Sequence, residues 1–196
     1  KYINSFTLMQ GDPKLKNERK QEVGMNARYR WLTLSVSYER IDNALTQMFN
    51  IYGKDNMLLV KRSNIPQPVR NLLVFLSANP TWGVYSPGWS AGMQKPWAEI
   101  EFDDPRTESG KVMVSYSRPM FFFTLNNAFR FKRSWQLEAN MNIRTKGDNL
   151  NFRMTSNAYN LGFAVQKCWL RNDALCLRIS LQDVLKRSLQ DTYSNA

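Results

Sequence analysis

Ten consecutive residues, Trp135–Arg144, alternate apolar and polar side chains without exception. Successive side chains of a β-strand point to opposite faces, so this segment predicts a strand with one apolar face and one strongly polar face. On a helix the same apolar residues would form no continuous stripe. A tilted strand needs about 9–11 residues to cross the hydrocarbon layer of a membrane, whereas globular strands usually have about 5–6. The length therefore raises the question of whether this strand belongs to a soluble sheet or spans a membrane.

The same two-residue period recurs in residues 31–39, 161–169 and 175–183. Residues 43–50 and 183–190 are interpreted as strand or strand end. Short connections and longer, polar or turn-rich connections alternate between these segments. The short ones are predicted at residues 41–43, 86–88, 132–134, 171–173 and 146–149, and the longer ones at 11–24, 62–69 and 103–110. Outer-membrane barrels have short turns at one end and long loops at the other.

This pattern predicts an all-β fold, an antiparallel up-and-down transmembrane β-barrel segment of about nine strands. Bacterial single-chain barrels have an even number of strands and no unpaired edge, so about nine strands make an incomplete barrel. The alternative is a soluble up-and-down barrel or sandwich, whose strands would be shorter and whose polar faces would be exposed. No run of the chain approaches the roughly 20 apolar residues of a membrane-spanning helix, so helical membrane proteins are excluded.

Aromatic residues are abundant, with 6 Trp, 8 Tyr and 11 Phe. Membrane barrels place such residues in girdles at the two membrane interfaces. Trp31, Trp135 and Trp169 lie at strand ends beside predicted short turns, so we expect them to be interfacial aromatics. Ordinary core aromatics of a soluble domain are the alternative.

The formal net charge of +11 is a possible sign of nucleic-acid binding. The basic residues, however, are spread over predicted loops and strand ends and form no single helix face, so we predict no nucleic-acid partner. The chain contains no His, which excludes histidine-based catalysis and His-ligated metals. The acidic pairs Asp103–Asp104 and Glu99/Glu101 are typical of a turn and a solvated face. The sequence predicts no catalytic residue, no cofactor and no metal site, and hence no enzyme.

Cys168 and Cys176 lie symmetrically about Asn172 at a predicted turn. A hairpin centred there would place them opposite each other, with Cα atoms about 4.5–5.5 Å apart, which is compatible with a disulfide. The envelope outside the inner membrane is oxidising and would permit the bond. The alternative is two free thiols in an offset register.

The polar residues that share one face of the predicted strands would line a water-filled lumen. There they would hydrogen-bond to one another or to a plug, without selecting a ligand. These residues are Gln136, Glu138, Asn140, Asn142, Arg144, Arg178 and Gln182.

Several motifs occur in an order that resembles the outer-membrane β-barrel domain of Bacteroidetes TonB-dependent receptor-like proteins. Residues 38–43 resemble a periplasmic turn of that family, and residues 82–97 its Trp-containing central hairpin. The resemblance covers roughly residues 26–190. The remaining motifs are Arg118-Pro119, residues 126–129 (NNAF), the turn at Lys132, residues 160–163 (NLGF) with Gln166-Lys167, and residues 181–185 (LQDVL).

This resemblance implies a location in the cell outer membrane and a part in a receptor or transporter that works with TonB. It implies that residues 1–196 are one region of a larger barrel, without its plug domain. The implied partners are outer-membrane lipid or lipopolysaccharide, the remaining strands and plug or the partner chains of an outer-membrane complex, and TonB if the full protein carries the contact segment. A non-transporting barrel that serves as a scaffold, and a soluble basic β-domain that binds polyanions, remain the alternatives.

Overall fold

The computed structural model of the chain describes residues 2–4, 7–10, 13–52, 57–103, 110–149, 152–187 and 192–193. These residues form sixteen strands and one short 3-10 helix, Arg171–Asp173. Among them, no helix has the length and apolar character needed to cross a membrane. The strands are β1 (Tyr2–Asn4), β2 (Thr7–Gln10), β3 (Arg19–Tyr29), β4 (Leu32–Asp42), β5 (Leu45–Tyr52), β6 (Met57–Asn64), β7 (Val69–Ala78), β8 (Tyr85–Asp103), β9 (Lys111–Tyr116), β10 (Met120–Phe131), β11 (Trp135–Arg144), β12 (Gly147–Asn149), β13 (Phe152–Met154), β14 (Ala158–Trp169), β15 (Leu175–Leu181) and β16 (Thr192–Tyr193).

A nine-stranded sheet, here called the main sheet, dominates the fold. Its strands follow the order β3-β4-β7-β8-β10-β11-β14-β15, and β9 pairs with the last part of β8. Every pairing in this sheet is antiparallel. Within the described residues β3 pairs only with β4 and β15 only with β14, so the sheet is open. The predicted all-β antiparallel architecture is confirmed.

The connections differ sharply between the two ends of the main sheet. Short connections of two to six residues join β3 to β4, β7 to β8, β10 to β11 and β14 to β15, and we call this side the short-turn end. Left-handed backbone at Arg30, Gly83 and Arg133 reverses the chain in three of these turns. The opposite side, the long-loop end, carries two small sheets, β1-β2-β6-β5 and β12-β13-β16. In the first of these, β2 and β6 are parallel.

The turn predicted at residues 86–88 is wrong, because Ser86, Pro87 and Gly88 lie inside β8. The reversal occurs at residues 79–84, and residues 85–97 form one strand rather than a hairpin. Pairing between β7 and β8 stops at Trp89, so Pro87 has a strand neighbour on one side only, where it faces Asn127. Proline is tolerated at such an edge because its missing N–H is not needed.

The turn predicted at residues 41–43, within the supposed periplasmic turn 38–43, is also placed differently. Strand β4 runs to Asp42 at the long-loop end, where the chain enters the β5–β6 hairpin. Residues 43–50 lead into strand β5 as expected. The predicted loops at 11–24 and 146–149 contain strand residues, because β3 starts at Arg19 and β12 starts at Gly147. Residues 184–186 turn instead of extending β15, and residues 188–190 lie outside the described residues.

The main sheet has two unlike faces. The outer face carries apolar side chains that remain exposed, such as Phe123, Leu137 and Ile179. The inner face carries mainly small or polar residues, apart from the aromatic pair Phe75 and Phe122, and Ala164 and Cys168 are buried there. Apolar residues pack together beneath the long-loop end. That cluster comprises Ala44, Ile65, Val69, Ala98, Ile100 and Tyr116.

Candidate functional site

The polar residues of β11 share the inner face, since they alternate with the exposed apolar residues of the same strand. Register places Asn140 opposite Gly162 and Asn142 opposite Asn160 on β14. On the other side of β11, Thr124 Oγ1 donates a hydrogen bond to Asn142 Oδ1 at 2.9 Å. The inner face of the central strands is therefore a polar surface.

An ion pair crosses this inner face near the short-turn end. Arg178 Nη1 and Nη2 donate to Glu138 Oε1 and Oε2 at 2.8 and 2.5 Å, in a two-pronged geometry. Gln136 Nε2 donates to Glu138 Oε1 at 2.7 Å, and Gln166 Oε1 accepts from Arg178 Nη1 at 3.4 Å. The structure thus brings together Gln136, Glu138 and Arg178 from the predicted lumen set. Gln182 lies one residue beyond the end of β15 and is exposed.

Two adjacent rows of inner-face residues form the floor of a cavity of about 500 Å³. One row runs Thr124, Asn142 and Asn160 across β10, β11 and β14. The next row places Phe122 directly opposite Arg144. Asn149 and Met154 of the β12–β13 hairpin complete the wall, so the cavity lies between the sheet and this hairpin.

Phe122 is held flat against the sheet at the cavity wall. A Cβ atom on Gly92, its register partner on β8, would lie 2.1 Å from the Phe122 ring, so glycine is required for this close approach. Phe75 stacks against the same ring with centroids 6.2 Å apart. Sequence analysis missed this wall, although the apolar run 120–123 departs from the two-residue period and signals apolar packing on the inner face.

The β12–β13 hairpin is fastened at the long-loop end by a buried carboxylate, Asp148, whose exposed fraction is 0%. Arg153 Nε donates to Asp148 Oδ1 at 2.8 Å. The backbone N–H groups of Ser117 and Arg118 donate to Oδ2 at 2.9 and 3.0 Å. Burial alone would raise the pKa of Asp148, but the hydrogen bonds from Arg153, Arg118 and Ser117 outweigh it, and the pKa lies below its usual value.

The close fit at Gly147 shows how tightly this hairpin docks. A Cβ atom there would lie 2.7 Å from both Met120 Cβ and the Pro119 carbonyl oxygen. Arg153 also donates to the Ser115 carbonyl at 2.9 Å and covers the Tyr116 ring. Sequence analysis interpreted this segment as a short glycine-containing connection. The pairing of Asp148 with an arginine five residues later was the available signal.

The two cysteines lie opposite each other in the register of β14 and β15, at the position predicted from their spacing. The structure joins Cys168 and Cys176 in a disulfide, with Cα atoms 4.1 Å apart. Cys168 is buried on the inner face beside Gln166. The bond lies next to the tight turn that connects the two strands.

The predicted interfacial aromatics all lie at the short-turn end. Trp31, Trp135 and Trp169 are 47%, 44% and 43% exposed. Lys167 Nζ lies 5.3 Å from the Trp135 ring centre and 6.0 Å from that of Trp169. It also donates to the Arg133 carbonyl oxygen. Aromatic rings with an ammonium group over their faces suit a boundary between apolar and aqueous surroundings.

A polar residue, Asn127, occurs on the outer face near the same end and was missed by sequence analysis. Tyr85 Oη and Trp89 Nε1 donate to its Oδ1 at 2.6 and 3.3 Å. Its Nδ2 donates to the Ala139 carbonyl oxygen at 3.3 Å. These partners satisfy the amide on an otherwise apolar face, which removes most of the cost of placing it there.

No group of three or more His, Cys, Asp and Glu side chains within the described ranges is arranged to hold a metal ion. The inner face and the β12–β13 hairpin together line a cavity that could bind a small molecule, with polar side chains on its floor and the Phe122 ring along its wall.

A model of the outer membrane protein beta-barrel family matches residues 1–196. No curated protein and no solved structure matches the chain.

Proposed function

Because this chain belongs to the outer membrane protein beta-barrel family and lies in the outer membrane, we propose that it forms part of a receptor barrel of the Bacteroidetes TonB-dependent type. Such a barrel would take up its substrate across the outer membrane with energy supplied through TonB. The motif order from Arg118-Pro119 to residues 181–185 supports this narrower assignment.

One observation carries the proposal. The main sheet is open, with an apolar outer face and a polar inner face whose charges are partly paired across strands, as in Glu138 and Arg178. In the hydrocarbon layer every backbone polar group needs a partner, so β3 and β15 require further strands there. We propose that remaining barrel strands supply them and that a plug or partner chain faces the polar inner side. The family argues against the soluble polyanion-binding alternative.

We further propose that the short-turn end contacts lipid headgroups. Trp135 and Trp169 are exposed there, and the half-buried Lys167 places its ammonium group over both rings. A lipid phosphate would suit this ammonium group, so the proposed partner is outer-membrane lipid or lipopolysaccharide. The proposal assigns binding and passage, and no chemical reaction, to this region.

The test is direct binding of TonB. The full protein, extracted from outer membranes and shown to be folded by its heat-modifiable gel mobility, is titrated by calorimetry with the purified periplasmic domain of TonB from the same organism. We expect saturable binding. A porin from the same membrane is the control and should not bind. A folded protein without TonB binding would contradict the proposal and favour the non-transporting scaffold.

A further inference from the structure

We infer that the cavity beneath the β12–β13 hairpin is a binding site for a small carboxylate with a flat apolar or aromatic body. This inference rests on the proposed function and names the substrate class of that barrel. It depends on the shape and chemistry of the cavity wall, and on the position of Arg144 within it.

The volume sets the size of the occupant. At about 500 Å³ the cavity falls within the usual range for small-molecule sites, roughly 300–1,000 Å³. It is too small for a folded partner. The inner face forms its floor and the docked hairpin forms part of its wall, so a small molecule can enter from the open side.

The charge sets the headgroup. Arg144 is the sole charged side chain among the described residues that line the cavity, so no lining carboxylate neutralises it. By contrast, several charges elsewhere on the inner face are paired, as Glu138 is with Arg178 and Lys20 is with Glu39. The planar guanidinium presents parallel N–H donors that match the two oxygens of a carboxylate. An anion is therefore the complementary ligand at this wall.

The aromatic wall sets the body of the ligand. Phe122 lies directly opposite Arg144, and Gly92 and Phe75 fix its ring in place. Leu73 and Met120 extend this apolar surface. A flat apolar group that stacked on Phe122 would place its carboxylate beside Arg144 on the neighbouring strand.

The neighbouring row of polar side chains suits the rest of the molecule. Thr124, Asn142 and Asn160 adjoin the aromatic wall and offer neutral donors and acceptors without charge. They would bind a hydroxyl or amide substituent and cannot balance a second anion. The site thus favours a single carboxylate over a polyanion.

The experiment measures binding of three probes to the full protein in lipid nanodiscs by ligand-observed NMR titration. The probes are indole-3-acetate, the neutral indole-3-acetamide and acetate. We expect indole-3-acetate to bind at least about tenfold more tightly than either other probe, because charge-assisted hydrogen bonds and ring stacking act together. Equal binding of the acetate and acetamide forms of indole would overturn the inference.

Three variants separate the contributions. Arg144→Gln should abolish the preference for indole-3-acetate over indole-3-acetamide. Arg28→Gln, on the inner face at the short-turn end, is the matched control and should preserve it. Gly92→Ala should displace the Phe122 ring and weaken both indole probes alike. A preference that survives Arg144→Gln would overturn the inference; if that variant does not fold, the comparison of probes on the wild-type protein decides alone.

This outcome is distinguishable from that of the TonB test. A protein that binds TonB but shows no carboxylate preference refutes only the ligand class. A protein that prefers the carboxylate but does not bind TonB refutes only TonB-dependent uptake.

Discussion

Replacing Asp148 by Asn removes the charge that fastens the β12–β13 hairpin while keeping the size of the side chain. In the wild-type protein Oδ2 accepts the backbone N–H groups of Ser117 and Arg118, and Oδ1 accepts Arg153 Nε. The Asn oxygen can keep only one of these two positions. If it keeps the backbone bonds, its NH₂ group faces the Nε–H of Arg153, and two donors meet.

The size of the effect follows from burial. Breaking a buried ion pair by removing one partner costs about 3–5 kcal/mol. Asp148 is fully buried but 27% of the Arg153 side chain is exposed, so water can solvate part of the guanidinium. We therefore expect a cost at the lower end, about 3 kcal/mol, which corresponds to roughly a hundredfold change in the opening equilibrium of the hairpin.

Hydrogen–deuterium exchange with mass spectrometry on the full protein in detergent measures this opening. Peptides that cover β12 and β13 should exchange roughly a hundredfold faster in Asp148→Asn, because exchange follows the open population. Peptides from β10 and β11 should change much less, since their ladder does not depend on the carboxylate. The heat-modifiable gel shift should persist, because the hairpin lies outside the main sheet.

Asp42→Asn is the matched control. Asp42 pairs with Arg40 at 3.1 Å, but both side chains are partly exposed, at 31% and 42%. Such pairs contribute about 0–1 kcal/mol, so the exchange of β4 should change by less than about fivefold. If Asp148→Asn affected its hairpin no more than Asp42→Asn affects β4, the fastening role of Asp148 would be refuted.

Three further outcomes follow from the structure. The pKa of Asp148 is lowered in the docked hairpin, so the free energy of docking should stay constant above the ordinary aspartate pKa of about 3.9. It should become less favourable as the pH falls below that value and through the lowered pKa of Asp148. Hydrogen exchange of the hairpin between pH 7 and pH 3, corrected for intrinsic exchange rates, measures this change. Leu137→Arg on the outer face should lower the free energy of unfolding by about 2–4 kcal/mol in urea titrations with lipid vesicles. Asn140→Arg on the inner face should change that free energy little. Equal effects of the two substitutions would contradict the assignment of Leu137 to the lipid-facing side and Asn140 to the inner side. Cys168 and Cys176 should resist alkylation in the denatured protein until reductant is added, and two adducts without reductant would contradict the disulfide.

Local alternation predicted the membrane-type strands well. Strand β11 has the predicted bounds, Trp135–Arg144, because its two faces meet different surroundings along its whole length. The register of Cys168 with Cys176 followed from a symmetric turn. These features depend on residues that lie close together in the sequence, and a two-residue period of apolar side chains indicates directly which of those residues share a strand face.

Features that depend on distant segments could not be predicted in the same way. Ser86, Pro87 and Gly88 have the composition of a turn, but pairing with β10 keeps them extended. The cavity exists only because the β12–β13 hairpin folds back against Met120 and fastens through Asp148 to residues 117–118. Residues 146–149 alone do not show that return, and the one sequence signal is the opposite charge of Asp148 and Arg153.

Strand β8 runs without interruption for 19 residues, from the short-turn end of the main sheet to the long-loop end. Gly92, beneath the Phe122 ring, and Ile100, in the apolar cluster of the long-loop end, lie on the same strand and on the same face. An extended chain is almost inextensible, since it already spans close to its maximum of about 3.3–3.6 Å per residue. Strand β8 therefore cannot lengthen when the long-loop end is pulled along the strand axis, so an axial displacement at Ile100 would also move Gly92 beneath the aromatic wall of the cavity.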